Sequence, residues 1–165
     1  VAEGQPGELW IRSPSLASGY WKKPEVTAAV FDRGWYHSGD IAIRDEEGLY
    51  YIHDRLKDMI VSGGENIYST EIESVLSTHA AVAVAAVIGV PDPRWGEAVK
   101  ACVVLKAGMS VSADELLDFC RPRLASYKLP KSIDFRAAFP MTGSGKIAKK
   151  ELREPFWANH DRAVG

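Results

Sequence analysis

The chain has 165 residues, with 20 lysines plus arginines against 22 aspartates plus glutamates, a formal net charge of −2 and 46% hydrophobic residues. That balance excludes a disordered or collagen-like chain and removes the electrostatic motive for binding nucleic acid or a membrane surface non-specifically. The length suits one ordinary domain, or a small domain with a piece of another.

Residues 8–12 alternate polar and apolar side chains and predict a strand. Residues 24–31 open on proline and carry alanines inside, which suits a short helix. Residues 41–44 and 49–53 flank the turn cluster Asp45, Glu46, Glu47, Gly48 and read as a β-hairpin. A further short strand is expected over 57–61, broken by Gly63 and Gly64.

Beyond that double glycine the period changes. Thr70 with Glu73 has the spacing of a capping box, and Ile72, Val75, Leu76 and His79 follow at helical spacing. The β-branched runs 82–90 and 99–105 predict two buried strands, joined by a long turn over 91–96. Ser112 and Glu115 give a second capping box ahead of Leu116, Leu117, Phe119, Cys120 and Leu124, with Pro122 expected to kink or split that helix. Residues 133–136 predict a last strand, 142–145 a flexible loop and 147–157 a closing helix. From about residue 56 the order is α+β, whereas the earlier part is mostly β with turns, so a boundary is expected at 55–58, dividing the chain into 1–56 and 57–165.

Cys102 and Cys120 lie in apolar stretches with no histidine or second cysteine at metal-ligand spacing, which predicts reduced core thiols in a cytoplasmic protein and no metal site. The longest apolar run, 80–90, is too short for a transmembrane segment, and the first residues lack a signal pattern. The opening at Val1 in mid-sentence suggests a fragment.

Four groups of residues could carry chemistry. The loop from Met141 to Lys146 offers backbone N–H groups and a lysine charge to an anion, although Pro140 and Ile147 break the Walker pattern; a solvated surface loop is the alternative. Asp40, after Ser38 and Gly39, could accept hydrogen bonds from vicinal hydroxyls such as those of a ribose, or simply form a turn. Gly63 and Gly64 make a tight turn or admit a ligand close to the backbone. Tyr127, Lys128 and Lys131 place an aromatic face among cations, which could stack a base and pair phosphates or remain plain surface.

Taken in order, Gly7-Glu-Leu-Trp-Ile-Arg12, Gly19-Tyr-Trp21, Trp35-Tyr-His-Ser-Gly-Asp40, Asp54-Arg-Leu-Lys-Asp-Met-Ile60, Gly63-Gly-Glu-Asn-Ile67, Glu71-Ile-Glu73 and Pro140-Met-Thr-Gly-Ser-Gly-Lys146 resemble the end of an adenylate-forming acyl-CoA synthetase. This superfamily also includes luciferases and peptide-synthetase adenylation domains. The resemblance implies an α+β fold: a small, mobile C-terminal domain with a mixed β-sheet flanked by helices, preceded by a β-rich tail of the large N-terminal domain. It implies ATP, CoA and a carboxylic acid, long- or medium-chain fatty by preference, as substrates, with Mg2+ held mainly by an N-terminal domain that this chain lacks.

The resemblance also implies roles. Asp40 would hold the ribose hydroxyls, and Arg55 would contact the nucleotide. Lys57 would be the hinge of domain rotation, and Lys146 the lysine that bridges carboxylate and α-phosphate. Gly63 and Gly64 would line the pantetheine tunnel, with Trp95, Tyr127 and Lys131 contacting CoA. Lys146 further resembles a site modified by a lysine acetyltransferase, which would cancel its charge. Two other readings stand beside this one: an adenylation domain that loads a carrier protein, and a free-standing regulatory module that binds nucleotide. A hydrolase finds no support, because His37, His53, His79 and His160 make no nucleophile–base pattern.

Overall fold

The computed structural model describes residues 1–158 and 160, and the chain divides into two compact units, Val1–Lys57 and Asp58–Gly165. In the first, the strands β1 (Gly7–Ile11), β2 (Phe31–Asp32), β3 (Trp35–Arg44) and β4 (Tyr50–Arg55) form one sheet, with helix α1 (Pro24–Val30) between β1 and β2. The long β3 is central, and β1, β2 and β4 all pair with it antiparallel. Local chemistry closes the β3–β4 turn: Asp45 Oδ1 accepts from the N–H groups of Glu47 and Leu49, and Gly48 takes a positive φ that a side chain would resist.

The second unit is built on a five-stranded mixed sheet. Its strands are β5 (Ile60–Ser62), β6 (Glu65–Ile67), β7 (Val82–Asp92), β8 (Gly96–Leu105) and β9 (Ser132–Phe135), in the order β6-β5-β8-β7, with β9 parallel to β8. Because β7 and β8 are covered on both faces, they read as near-continuous apolar runs. Their alternation serves two cores. Val87, Val99, Ala101 and Val103 pack under α2 (Ser69–Ser77) and α3 (Ala113–Cys120). Ala86, Ile88 and Cys102 pack under Leu152 of α4 (Lys149–Trp157), with Phe139, Ile147 and Phe156 around them. The fold is therefore α+β, a mixed sheet with helices on both faces.

Several local expectations need correction. Over 57–61 the chain first makes a 3₁₀ turn at Leu56–Asp58; only then does β5 begin, and Gly63 and Gly64 do not end the pairing but turn it into a hairpin with β6. The Thr70–Glu73 capping box does not form. The N-cap is Tyr68, and the Glu73 carboxylate accepts instead from the Val87 N–H of β7 at 2.6 Å. The turn between β7 and β8 is short, since Asp92 already pairs with Gly96. Helix α3 stops at Cys120, ahead of Pro122, so the proline ends the helix rather than kinking it. Residue 147 lies outside α4 because Ile147 is bridged to Met141.

Candidate functional site

In the first unit the register of the hairpin decides the geometry. Asp40 on β3 is directly opposite Arg55 on β4, and Arg55 Nε meets Asp40 Oδ1 at 2.7 Å. Both side chains keep contact with water, Asp40 at 25% and Arg55 at 51% exposure. The chain just before Asp40 is fixed by its own polar groups: Ser38 Oγ donates to the Leu9 carbonyl at 2.7 Å and accepts from the Asp40 N–H at 3.1 Å, while the Gly39 N–H donates to Glu8 Oε1. Gly39 has φ +70°, a conformation that favours glycine and turns the strand so that Asp40 leaves it at a set angle. A half-exposed carboxylate with an arginine on one oxygen can accept from paired hydroxyls and hold a positive charge beside them. Asp54, buried, takes the Arg55 N–H on Oδ1 at 2.7 Å and so steadies the strand under the pair. Lys57 lies in the 3₁₀ turn at the end of this unit.

In the second unit, Gly63 and Trp95 are in contact. The Gly63 N–H donates to the Trp95 carbonyl at 2.8 Å, and a β-carbon at Gly63 would come to 2.8 Å from Trp95 Cε3. The Trp95 ring is 41% exposed, and the Arg94 guanidinium lies 4.4 Å from its centroid. Beside it opens a cavity of about 620 Å³, lined by Val61, Asp92, Glu97 and Trp157 among others. Tyr127 is exposed in a 3₁₀ turn, Ser126–Lys128, and Lys131 follows, its N–H donating to the Val99 carbonyl of β8 at 2.8 Å. Since Gly96 of β8 pairs with Ser62 of β5, next to the glycine turn, that turn and Lys131 meet β8 three residues apart, roughly 10 Å along it.

Lys128 does not belong with these. Its Nζ reaches both carboxylate oxygens of Glu71, at 2.6 and 2.8 Å, in a part-buried site. Burial pulls its pKa down, but the hydrogen bond and charge of Glu71 outweigh that and leave it above the ordinary lysine value. It joins α2 to the segment before β9, with its charge already taken up by Glu71.

Lys146 stands exposed at the end of a tight loop. The Thr142 N–H donates to the Lys146 carbonyl at 2.7 Å, the Lys146 N–H to Thr142 Oγ1 at 3.1 Å and the Gly145 N–H to the Thr142 carbonyl at 2.9 Å, with Gly145 at φ +77°. The loop expected to be flexible is thus closed by its own hydrogen bonds. Below it, Lys149 pairs with Glu73 at 2.7 Å, and Arg153 with Asp58 at 2.6 Å. Sequence reasoning missed Glu71, Glu73, Lys149, Arg153 and Asp58 as a set. Their partners are far apart in the chain, and the only local signal, an acid early in a helix, points equally to a cap.

Among the described residues no three histidine, cysteine, aspartate or glutamate side chains converge to hold a metal ion. Nor is any helix among them long and apolar enough to cross a membrane.

Residues 71–146 match the family described as the AMP-binding enzyme C-terminal domain. Among curated relatives, the chain is 53% identical over 156 residues to a feruloyl-CoA synthase of an Amycolatopsis species, covering 94% of the chain and 32% of that protein. It is 49% identical over 160 residues to a long-chain fatty-acid–CoA ligase of Bacillus subtilis, covering 97% of the chain and 29% of that protein. Among solved structures, o-succinylbenzoate CoA synthetase of Bacillus subtilis, in complex with its acyl-adenylate intermediate, superposes with a TM-score of 0.86 at 39% identity, covering 92% of the chain and 31% of that protein. The chain therefore spans about a third of the length of the relatives it matches.

Proposed function

We propose that this chain, whose residues 71–146 match the AMP-binding enzyme C-terminal domain family, forms the C-terminal part of an ATP-dependent acid–thiol ligase of the acyl-CoA synthetase type. In its first step a carboxylate oxygen attacks the α-phosphorus of ATP, giving acyl-AMP and releasing pyrophosphate. In its second the CoA thiol gives up its proton, attacks the acyl carbonyl and expels AMP. The observation that carries the reading is Lys146, an exposed ammonium held at the end of a self-closed loop at the close of the matched region. Such a charge stabilises the negative charge that gathers on carboxylate and α-phosphate without reorganising when it forms.

The other residues take roles consistent with this. Asp40 accepts the ribose hydroxyls, and Arg55 orients that carboxylate and adds positive charge towards the nucleotide. Lys57 is the pivot on which residues 58–165 turn between the two steps, so that Gly63, Gly64, Trp95, Tyr127 and Lys131 meet CoA after Lys146 has left. Residues 1–57 complete a larger N-terminal domain, whose cover the exposed Tyr50, Tyr51 and Ile52 of β4 await. Mg2+ would accompany the nucleotide, held mainly by the N-terminal domain. Acetylation of Lys146 by a lysine acetyltransferase would remove its charge and stop the first step. Both cysteines are free and buried, which suits the reducing cytoplasm.

The acyl group is a fatty or aryl acid. Relatives named for a feruloyl and for a long-chain fatty acyl group are 53% and 49% identical to the chain, so this region carries little of that choice.

The test uses the complete enzyme and a panel of fatty and aromatic carboxylates, following pyrophosphate release and acyl-CoA mass. Lys146→Ala is expected to lower pyrophosphate release by roughly 100-fold or more, the scale for removing a preorganised charge stabiliser, while thioester formation from preformed acyl-adenylate persists. Equal loss in both half-reactions would refute the two-step role of the lysine. Pyrophosphate release without acyl-CoA would move the reading to carrier-protein loading.

A further inference from the structure

The strand β7 ends the sheet order, so backbone groups on its outer side have no strand to pair with. One of them, the Val87 N–H, donates to Glu73 Oε1 at 2.6 Å. The same oxygen accepts the Lys149 ammonium at 2.7 Å, and Lys149 Nζ also donates to Ser69 Oγ at 2.8 Å. Glu73 and Lys149 are only 19% and 15% exposed. A single carboxylate thus joins α2, the edge of β7 and the first residue of α4.

What Lys149 anchors is the base of the Lys146 loop. The Ala148 N–H donates to the Pro140 carbonyl at 2.8 Å, the Lys149 N–H to the Ile147 carbonyl at 3.0 Å, and Met141 is bridged to Ile147. Only Ile147 and Ala148 separate the anchored lysine from the exposed one, and both lie in or against that short ladder. Helix α4 has no side-chain N-cap of its own; the Lys149–Glu73 pair tethers this end through a side chain without occupying the free N–H groups of the first turn.

We infer that Glu73 and Lys149 are a positioning pair for Lys146: they fix the loop on which the adenylation lysine rides, and they act on the first half-reaction through it. The inference rests on the assignment of Lys146 to adenylation. The pair touches no substrate. Its contribution is to hold the charged end of Lys146 within the distance at which it neutralises the reacting phosphate, where misplacement by about 1 Å costs on the order of 100-fold.

In the complete enzyme, Lys149→Met is expected to lower pyrophosphate release by roughly 10- to 100-fold and to leave thioester formation from preformed acyl-adenylate within about twofold. Lys149→Arg, which keeps the charge and the reach, restores most of the loss. Glu73→Gln, whose amide oxygen still accepts from Val87, reproduces the Lys149→Met phenotype in part. Amide hydrogen exchange at residues 142–146 gives a readout independent of turnover, and is expected to be roughly tenfold faster in Lys149→Met. Equal loss of both half-reactions would make the pair merely structural, and unchanged adenylation with unchanged exchange would overturn the inference outright. If Lys146→Ala itself left adenylation intact, the assignment of Lys146 would fall. Exchange at 142–146 would still decide whether Lys149 holds the loop.

Discussion

The paired glycines at 63 and 64 allow one mechanical idea to be separated from another. Both take left-handed backbone conformations, φ +61° and +87°, so alanine at either position costs about 1–2 kcal/mol. For a domain of about 100 residues each kcal/mol lowers Tm by roughly 4–8 °C. Their surroundings differ sharply. A β-carbon at Gly64 meets nothing within 4 Å, whereas one at Gly63 lies 2.8 Å from Trp95 Cε3 and 3.3 Å from Cζ3. The indole must therefore move in Gly63→Ala, although its backbone stays tethered by the 2.8 Å hydrogen bond from the Gly63 N–H. Both variants are expected to lose stability in thermal unfolding of the C-terminal unit, Gly63→Ala the more because the indole must shift. Gly63→Ala alone should shift tryptophan emission and raise the KM for CoA, with pyrophosphate release unaffected. An equal rise in KM for Gly64→Ala would show that backbone strain, not the Trp95 face, governs CoA, and would refute the assignment.

Two further outcomes follow from the packing. Leu152 is almost fully buried against Ala86, Ile88 and Cys102 and is the main anchor of α4; Leu152→Ala should cost about 2–5 kcal/mol, measured by urea unfolding, and a loss below about 1 kcal/mol would mean that the ion pairs hold α4 unaided. Burial raises the thiol pKa of both Cys102 and Cys120, the former against an opposing pull from Arg136. The folded pKa therefore exceeds the unfolded value of about 8.5, and the stability this represents is fully present below pH 8.5 and lost as pH rises towards the folded value. The urea midpoint should fall between pH 8 and 10, and the fall should be smaller in Cys102→Ala/Cys120→Ala; an identical pH dependence in that variant would contradict it.

What the sequence disclosed was short-range. Ser112 and Glu115 form both halves of their capping box, because each partner is three residues from the other and nothing else competes for it. The β3–β4 hairpin and the runs of β7 and β8 were equally legible, since alternation and turn residues are local codes. Thr70 and Glu73 have the same spacing as Ser112 and Glu115, yet Glu73 serves the Val87 N–H and Lys149. A buried edge N–H and a buried ammonium outbid a helix terminus that water can reach, and no local pattern reveals that competition. The same holds for Asp40 and Arg55, each legible by its motif, whose 2.7 Å pairing depends on the hairpin register.

The lysines of the C-terminal unit show how the structure sorts residues that look alike in sequence. Lys100, Lys128 and Lys149 are part-buried, and each has a carboxylate within 2.8 Å, from Asp134, Glu71 and Glu73 respectively. Withdrawing any of them to serve a substrate would break an ion pair, and for Lys149 it would leave the Glu73 carboxylate, only 19% exposed, without its partner. Lys131 and Lys146 are exposed, and among the described residues neither has an ion-pair partner. A ligand that arrives and leaves in each cycle needs cations whose release costs little. That physical requirement sets Lys100, Lys128 and Lys149 aside and leaves the exposed Lys106, Lys131, Lys146 and Lys150, and it separates Lys128 from its neighbours Tyr127 and Lys131, with which sequence alone had grouped it.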